Sequence, residues 1–275
     1  MYGGLEARRL FYFPTSWLLS FHTSFLLMKP LTKDTFFTGR IIVRQGRSGY
    51  RFSIDSIFLA SHAEPRPGDK VLDLGTGCGI IPLILAYHEP NLKIFGIEVQ
   101  KELADIAGTN VEENHMGDII TILCKDMKEL KNDMISGPVD LIVSNPPYRK
   151  VVSGRINPDM QRAVARHEIK VSLEDITSTS RRVLRTAGRF VTIYSAERIT
   201  DLLTHLRSAG IEPKFLRMVH SGVKTEAKLV LVEGIKDGRP GVKIGPPLII
   251  YDRDGAYTQE VEKMFLPNGS ATQIR

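Results

Sequence analysis

The sequence predicts an α/β fold in which helices cover both faces of a mostly parallel sheet. Four apolar runs follow one another from residue 70 onward: KVLDLG, KIFGIEV, IITILCKD and VDLIVSN. Helix-like stretches at 80–88 and 101–115 separate the first three runs. Strands that alternate with helices are typical of parallel sheets, whose strands are buried on both faces and so carry continuous apolar runs.

Three further strand-like runs, RFVTIYS, FLRMVHS and AKLVLVEGI, bring the predicted sheet to seven strands counted from Lys70. Helix-like stretches that end near residue 184 and span 199–209 precede the first and second of these runs. We expect a mostly parallel sheet with an antiparallel strand near the C-terminus. The residues after 233 are rich in Gly and Pro, and 252–275 are expected to form a C-terminal tail.

A β-hairpin and a short helix are predicted ahead of the sheet. In the hairpin, the run IIVRQ pairs with YRF across a turn at 46–49, because glycines in a short connection favour a tight reversal. The helix is expected at 55–62. The chain is thereby divided into 28–64, which holds the hairpin and helix, and 65–251, which forms the main domain.

Residues 1–27 stand apart from this organisation. The stretch 10–27 has no Lys, Arg, Asp or Glu and follows Arg8 and Arg9, so a signal peptide or membrane anchor is one interpretation. Its polar residues and the lack of a clean cleavage site favour another, in which the start codon is assigned too early and Met28 is the first residue. We expect 1–27 to be such a mis-assigned start or a disordered extension, with no membrane association.

The composition fits one large domain that folds without cross-links. The 275 residues are 42% hydrophobic and 25% charged, which is ordinary globular usage. Neither Cys78 nor Cys124 has a second Cys or a His at metal-ligand spacing, so we expect no metal site and a reducing cytoplasm. The net charge of +6 and the isoelectric point near 9.3 weakly favour a phosphate-bearing partner.

A glycine-rich turn follows the first strand of the main domain. The segment VLDLGTGCG at 71–79 places Gly75, Gly77 and Gly79 where the chain passes from strand to helix, and glycines let a backbone approach a ligand closely. Phosphate-binding loops have the spacing Gly-x-Gly-x-x-Gly, whereas here the third glycine comes one residue sooner and Asp73 precedes the loop. An acidic residue suits a cation, so we expect S-adenosylmethionine, which carries an amino group and a sulfonium and has no phosphate.

Acidic residues also end the next two strands. Glu98 ends the second strand, within FGIEV, where a carboxylate can accept both hydroxyls of a ribose. Asp126 follows the third apolar run, within ILCKDM, where it can accept from an adenine amino group or simply cap a helix. Ligands of open α/β sheets bind at the carboxyl ends of the strands. We therefore expect Asp73, Glu98 and Asp126 to surround one cofactor.

The fourth strand ends in the motif Asn145-Pro146-Pro147-Tyr148. A planar amino nitrogen is a poor nucleophile because its lone pair is delocalised. The Asn145 side-chain oxygen and the Pro146 carbonyl can accept its two hydrogens and bias it toward an attacking geometry, while Pro147 fixes that carbonyl and Tyr148 stacks on a planar base. These four residues are the expected catalytic set, and positioning supplies most of the catalysis.

These motifs resemble those of the Rossmann-like S-adenosylmethionine-dependent methyltransferases that act on planar nitrogens. The stretches GYRFSIDSIFLASHA, SGRINPDMQRAVARHE and RMVHS with LVLVEG and PPLIIY resemble, within that class, the bacterial tRNA1(Val) adenine-N6 methyltransferase family, over about 45–251. The resemblance implies a tRNA adenine near the anticodon as acceptor. It also implies that Asp55 lies near the cofactor and that the loop after the motif faces RNA.

Basic residues follow the motif directly. The expected RNA-binding residues are Arg149, Lys150, Arg155, Arg162 and Arg166, together with Arg47 on the hairpin, which also carries Arg40, Arg44 and Arg51. Such charges can neutralise a phosphate backbone, although a solvated basic face is an open alternative.

Two other acceptors remain open at this point. A glutamine-N5 protein methyltransferase would make the same hydrogen-bond demand, but that family usually carries a helical domain before its glycine loop. A guanine-N2 rRNA methyltransferase usually has a longer N-terminal part. Oligomeric state is not indicated by the sequence.

Overall fold

The computed structural model describes residues 31–46, 53–146 and 171–267. The strands in these ranges are β1 (Leu31–Phe36), β2 (Ile41–Gly46), β3 (Lys70–Leu74), β4 (Lys93–Glu98), β5 (Ile120–Cys124), β6 (Val139–Ser144), β7 (Leu184–Ser195), β8 (Ile211–His220), β9 (Ala227–Lys236), β10 (Lys243–Ile244) and β11 (Leu248–Ile249). The α-helices are α1 (Ile54–Ala63), α2 (Ile80–His88), α3 (Lys101–Glu113), α4 (Leu173–Val183), α5 (Ile199–Ser208) and α6 (Gln259–Lys263).

The main sheet has the strand order β10-β8-β9-β7-β6-β3-β4-β5, with β11 also beside β8. Strands β3 to β7 pair in parallel, and β9 runs antiparallel to both of its neighbours, β7 and β8. The seven predicted strands are β3 to β9, so the predicted sheet, with its antiparallel strand near the C-terminus, is confirmed. The two-residue strands β10 and β11 extend it at one edge.

The strand order places a crevice beside β3. From β3 the chain builds outward through β4 and β5, then returns to the other side of β3 to form β6 and β7. The loops that leave β3 and β6 therefore diverge at adjacent carboxyl ends. Ligands of open α/β sheets bind at such a reversal of strand order.

Each face of the sheet has its own apolar core. Val71 of β3 packs in a cluster with residues of α1 and α2, whereas Leu72 and Leu74 belong to a second cluster with residues of α4 and α5. Alternate side chains of a strand point to opposite faces, so a strand buried on both sides must be apolar throughout. This explains the continuous apolar runs in the sequence.

The N-terminal hairpin is present, but its pairing differs from the prediction. Strand β2 pairs antiparallel with β1, which precedes it, through a turn at 37–40 in which Phe37, Thr38 and Gly39 all have positive φ. The predicted partner, residues 50–52, lies outside the described residues. Strand β1 has the sequence LTKDTF, in which polar residues interrupt the apolar pattern that sequence reading depends on.

Two asparagines, one in the last turn of α3 and one directly after it, complete the hydrogen bonding of β2. Asn114 accepts from the backbone N–H of Ile42 and donates to its carbonyl oxygen, at 2.8 and 2.6 Å. Asn110, one helical turn earlier, does the same with Arg44, at 2.8 and 2.9 Å, and also donates to the carbonyl oxygen of Cys78 at 2.8 Å. These amides occupy the place of a neighbouring strand, and they join the hairpin to the glycine-rich turn.

The described residues after β11 include the short helix α6, which packs against the core. Thr258 caps α6, and Val261 within that helix is fully buried in the same cluster as Val71. Residues 252–275 were predicted only as a tail, because a five-residue helix with one buried side chain leaves no periodic pattern in the sequence. Across the three described ranges, we find no helix with the length and apolar character needed to cross a membrane.

Candidate active site

A cleft of about 790 Å³ opens at the carboxyl ends of β3, β4 and β6. Its lining comes from the glycine-rich turn after β3, the end of β4, the turn after β5, the end of β6 and the start of α4. The residues predicted from sequence that line it are Gly75, Gly77, Glu98, Asp126, Asn145 and Pro146. The fold therefore brings six of the predicted site residues, which span 72 positions of the chain, into one cavity.

The glycines of the glycine-rich turn serve two different purposes: some line the cleft, and one allows close packing behind it. Gly75 and Gly77 line the cleft with φ of 79° and 58°, and a Cβ on Gly75 would meet nothing within 4 Å. Gly79 does not line the cleft, contrary to its expected contact with the ligand. It caps the start of α2 at a φ of 83°, and a Cβ there would lie 3.3 Å from Cβ of Ala107, so the missing side chain allows the turn to approach α3 closely.

Glu98 is 6% exposed and is fixed by two backbone donors. Its Oε2 accepts from the N–H of Gly77 at 3.1 Å, and its Oε1 accepts from the N–H of Gln100 at 2.9 Å. Each carboxylate oxygen can accept a second hydrogen bond. Oε1 also accepts from Nε2 of Gln100 at 3.5 Å. The side chain is thus held in one orientation, and Oε2 keeps the capacity for a further donor from the cleft.

Asp126 has the capping role that was considered for it, and it also lies at the cleft. Its Oδ1 accepts from the N–H of Lys128 at 2.9 Å and so caps the short helical turn Met127–Glu129. It also lines the cleft, beside Met127. The cap fixes the carboxylate at the wall of the cavity.

Asp73 lies behind the glycine-rich turn, outside the lining of the cleft. It is fully buried, and neither carboxylate oxygen has a well-formed hydrogen bond within the described residues; the same holds for the hydroxyl of Thr76. Burial raises the pKa of Asp73 to about 7; the neighbouring Thr76 hydroxyl opposes the rise and the charge of Glu98 adds to it. Asp55 is also absent from the lining and is buried in the first turn of α1.

Asn145 and Pro146 lie directly after β6, and the hydroxyls of the sheet hold this strand end in place. Ser144 donates to the carbonyl oxygen of Leu74 at 3.0 Å, and Thr192 of β7 donates to the carbonyl oxygen of Ser144 at 2.7 Å. The Nδ2 of Asn145 donates to Oγ of Ser56 at 3.1 Å. Pro147 and Tyr148 lie outside the described residues.

A second groove, of about 850 Å³, meets the cleft at Pro146. Pro146, Val171 and Ile176 line both spaces. The outer part of the groove includes Tyr194 and Arg198, whose guanidinium lies 5.4 Å from the centre of the Tyr194 ring. Asn145 lines the cleft alone, so Pro146, directly after it, is the residue of the motif that the two spaces share.

Comparison with known proteins gives the family. The methyltransferase small domain matches residues 48–203. The tRNA1(Val) (adenine(37)-N6)-methyltransferase of Porphyromonas gingivalis is 30% identical over 243 residues, which are 85% of this chain and 94% of that protein. The protein of the same description from Trichodesmium erythraeum is 30% identical over 72% of this chain and 82% of its own length. The chain belongs to this methyltransferase family.

The fold of a solved structure agrees with that membership. A predicted O-methyltransferase from Agrobacterium tumefaciens superposes with a TM-score of 0.61, covering 76% of this chain and 94% of that one, at 19% identity. At that identity the likeness concerns the fold alone. The methyltransferase family uses S-adenosylmethionine, and the carboxylates and the apolar wall of the described cleft suit it.

The apolar wall of the cleft was missed by the sequence analysis. Ile97, Leu103, Met127 and Ile176 line it, and they suit a purine ring that needs apolar faces. In the sequence, each of them has the pattern of an ordinary core residue, so no signal distinguishes these cleft residues from the rest of the core. Ser56 was missed for a different reason, because its partner Asn145 lies 89 positions away.

The predicted RNA-binding residues cannot be placed in the structure. Arg47, Arg149, Lys150, Arg155, Arg162 and Arg166 all lie outside the described residues. Arg44, counted among the basic residues of the hairpin, is engaged in the fold: its Nε donates to Glu113 at 2.6 Å, and this bond lowers the pKa of Glu113. Arg44 therefore adds less to a basic surface than its charge suggested.

Proposed function

We propose that this methyltransferase transfers the methyl group of S-adenosylmethionine to N6 of an adenine in tRNA, and that the adenine is position 37 of a valine tRNA. The observation that carries the proposal is the place of Asn145 and Pro146 in the lining of the cleft, with Pro146 also lining the second groove. The names of the relatives, two of which are 30% identical over most of their length, support tRNA as the acceptor. With tRNA as substrate, the enzyme would act in the cytoplasm.

The cofactor would occupy the cleft. We assign the ribose hydroxyls to Glu98, whose carboxylate is fixed at the lining of the cleft, and the adenine amino group to Asp126. The backbone of Gly75 and Gly77 would lie against the methionine part, where a side chain would take up space. Asp73 would influence that part from behind the turn, since a buried carboxyl without a donor favours a nearby cation.

The acceptor nitrogen would be held by this chain's own hydrogen-bond acceptors. The Asn145 Oδ1 and the Pro146 carbonyl oxygen would each accept one hydrogen of the adenine amino group. That arrangement weakens the delocalisation of the nitrogen lone pair into the ring and directs it toward the sulfonium methyl group. Transfer by in-line displacement then requires alignment, which the bound geometry supplies. We further propose that Tyr148 stacks on the adenine and that the basic residues after it contact the phosphates of the tRNA.

A glutamine amide or a guanine amino group would make the same demand on Asn145. The described residues between 31 and 73 favour adenine in tRNA over a glutamine amide, because they form a hairpin and the ten-residue helix α1. A helical substrate domain of the kind expected for a glutamine enzyme is not among them.

The test offers all three acceptors to the same enzyme. The purified protein is incubated with isotopically labelled cofactor and, separately, with total tRNA, ribosomal RNA and a release factor, and the labelled product is hydrolysed and identified. We expect labelled N6-methyladenosine from tRNA alone. Labelled N2-methylguanosine from ribosomal RNA, or labelled methylglutamine from the release factor, would replace the proposal with the corresponding alternative.

A further inference from the structure

The side-chain amide of Asn145 is held by a residue of α1. Its Nδ2 donates to Oγ of Ser56 at 3.1 Å, and Ser56 is 2% exposed. Ser56 lies in the first turn of α1, and its own N–H donates to the carbonyl oxygen of Ser53 at 3.1 Å. The bond joins the helix before the main sheet to the strand end that carries the expected acceptor site.

The orientation of this amide decides what Asn145 can do. The oxygen and nitrogen ends of an asparagine side chain have nearly the same shape, and a half-turn about the last bond exchanges an acceptor for a donor. An amino group that must give up two hydrogens needs the oxygen end. Since Ser56 receives a hydrogen from Nδ2, Oδ1 is the end left for the acceptor.

The position of Ser56 is itself fixed against the sheet. Arg189 of β7, the neighbour of β6, donates to the carbonyl oxygens of Ala63 and Glu64 at 2.6 and 3.0 Å and so holds the C-terminal end of α1. Between these ends, Ile57, Phe58, Leu59 and Ala60 are buried in the core. The hydroxyl of Ser56 is therefore presented to Asn145 by a helix that is anchored on the strand next to it.

We propose that Ser56 is a positioning residue for methyl transfer, which orients the Asn145 amide so that Oδ1 faces the acceptor nitrogen. The proposal rests on the proposed role of Asn145 and holds for any planar amino acceptor, whether adenine, guanine or glutamine. A wrong role for Ser56 can therefore be distinguished from a wrong acceptor, because the acceptor assay identifies the methylated product independently of Ser56.

The kinetic test compares Ser56→Ala with Ser61→Ala. Ser61 lies five positions later on α1, and its buried hydroxyl has no hydrogen-bond partner within the described residues, so its removal makes the same chemical change without touching Asn145. We expect Ser56→Ala to lower kcat about tenfold, as for a lost orienting bond, with the cofactor Kd and the acceptor KM within about twofold of the parent. Ser61→Ala is expected to leave all three unchanged, and Ser56→Thr, which keeps the hydroxyl, to recover most of the rate.

A double-mutant cycle shows whether Ser56 acts through Asn145. In the Asn145→Ala background the amide is absent, so Ser56→Ala should cause no further loss in the residual rate. The same fold-loss in both backgrounds would overturn the proposal, as would a parent-like kcat in Ser56→Ala or an equal loss in Ser61→Ala.

A spectroscopic measurement needs no acceptor. In protein labelled with ¹⁵N-asparagine, the Nδ2 signals of Asn145 are those that vanish in Asn145→Ala. We expect their hydrogens to exchange with solvent at least about tenfold faster in Ser56→Ala than in the parent or in Ser61→Ala, because the bond that protects one of them is gone. Identical exchange in all three proteins would contradict the orientation that the structure gives.

Discussion

Asn145 has the most direct chemical role of the single residues. Its replacement by alanine should lower the rate of methyl transfer by roughly 10²- to 10³-fold, because a hydrogen bond that aligns the reacting nitrogen is lost from the transition state. The cofactor Kd should stay nearly the same, since Glu98 and the glycine-rich turn are unchanged. Single-turnover rates and calorimetric binding separate the two effects. Equal losses in binding and in rate would show that Asn145 serves the cofactor instead.

The raised pKa of Asp73 predicts how the stability of the fold depends on pH. Because its pKa is raised to about 7 in the folded protein, Asp73 keeps a proton that the unfolded chain has already released, between about pH 4 and pH 7. The unfolded state then binds fewer protons, so stability falls as the pH rises through this window. In Asp73→Asn this contribution is absent.

The measurement is the free energy of unfolding of the ligand-free proteins at several pH values from 4 to 8. The parent should lose stability relative to Asp73→Asn by up to about 1.4 kcal/mol per pH unit, the value for one proton. The other carboxyl groups are common to both proteins and cancel in the comparison. Parallel curves for the two proteins would mean that Asp73 is ionised throughout.

For the helices and strands, the contact between α3 and β2 has a measurable energy. Asn110 is fully buried and bonds both backbone groups of Arg44 and the carbonyl oxygen of Cys78. We expect Asn110→Ala to lower the free energy of unfolding by about 2 to 4 kcal/mol, because buried backbone groups are left without partners. Asn110→Asp should also be destabilised, since it retains the acceptor but loses both donated bonds. A loss below about 0.5 kcal/mol in denaturant titrations of both variants would show that water replaces these bonds.

The sequence predicted the strands and helices well wherever burial leaves a periodic or continuous apolar pattern. It predicted β3 to β9, α1, α2 and α3 for that reason. It paired β2 with residues 50–52 instead of β1, because the polar side chains of β1 hide its strand character. The bonds from Asn110 and Asn114 to β2 depend on the approach of two distant segments, and no local pattern records that approach.

The site was predictable where its residues end strands. Gly75, Gly77, Glu98, Asp126 and Asn145 follow apolar runs, and parallel strands bring such ends together. Gly79 shows the limit of that reasoning, since the structure explains it by the close approach of the turn to Ala107 of α3. Ser56 and the apolar wall of the cleft depend on tertiary contacts that a strand-end pattern does not include.

For the molecule as a whole, the basic residues after the Asn-Pro-Pro-Tyr motif stay a prediction about RNA. Replacing Arg155, Arg162 and Arg166 with glutamine should weaken tRNA binding and flatten its dependence on salt, because contacts with phosphates release counterions. The cofactor Kd should be the same as in the parent. Binding is measured by filter retention at several salt concentrations.

A matched control removes the same number of charges elsewhere. Arg181, Arg185 and Arg207 each pair with an acidic residue, and they lie at the amino edge of the sheet, away from the cleft. Their triple replacement by glutamine should leave the salt slope close to that of the parent. If both triple variants change the slope equally, the effect comes from net charge and the segment after the motif is an ordinary solvated face.

The acceptor atom is the central claim, and one measurement addresses it most directly. Two valine tRNA transcripts, one with adenine and one with guanine at position 37, are incubated with the enzyme and S-adenosylmethionine, and the digests are mapped by mass spectrometry. We expect one methyl group per molecule of the first transcript, as N6-methyladenosine at position 37, and none in the second. Methylation of both transcripts to the same extent, or at another nucleotide, would contradict the assignment.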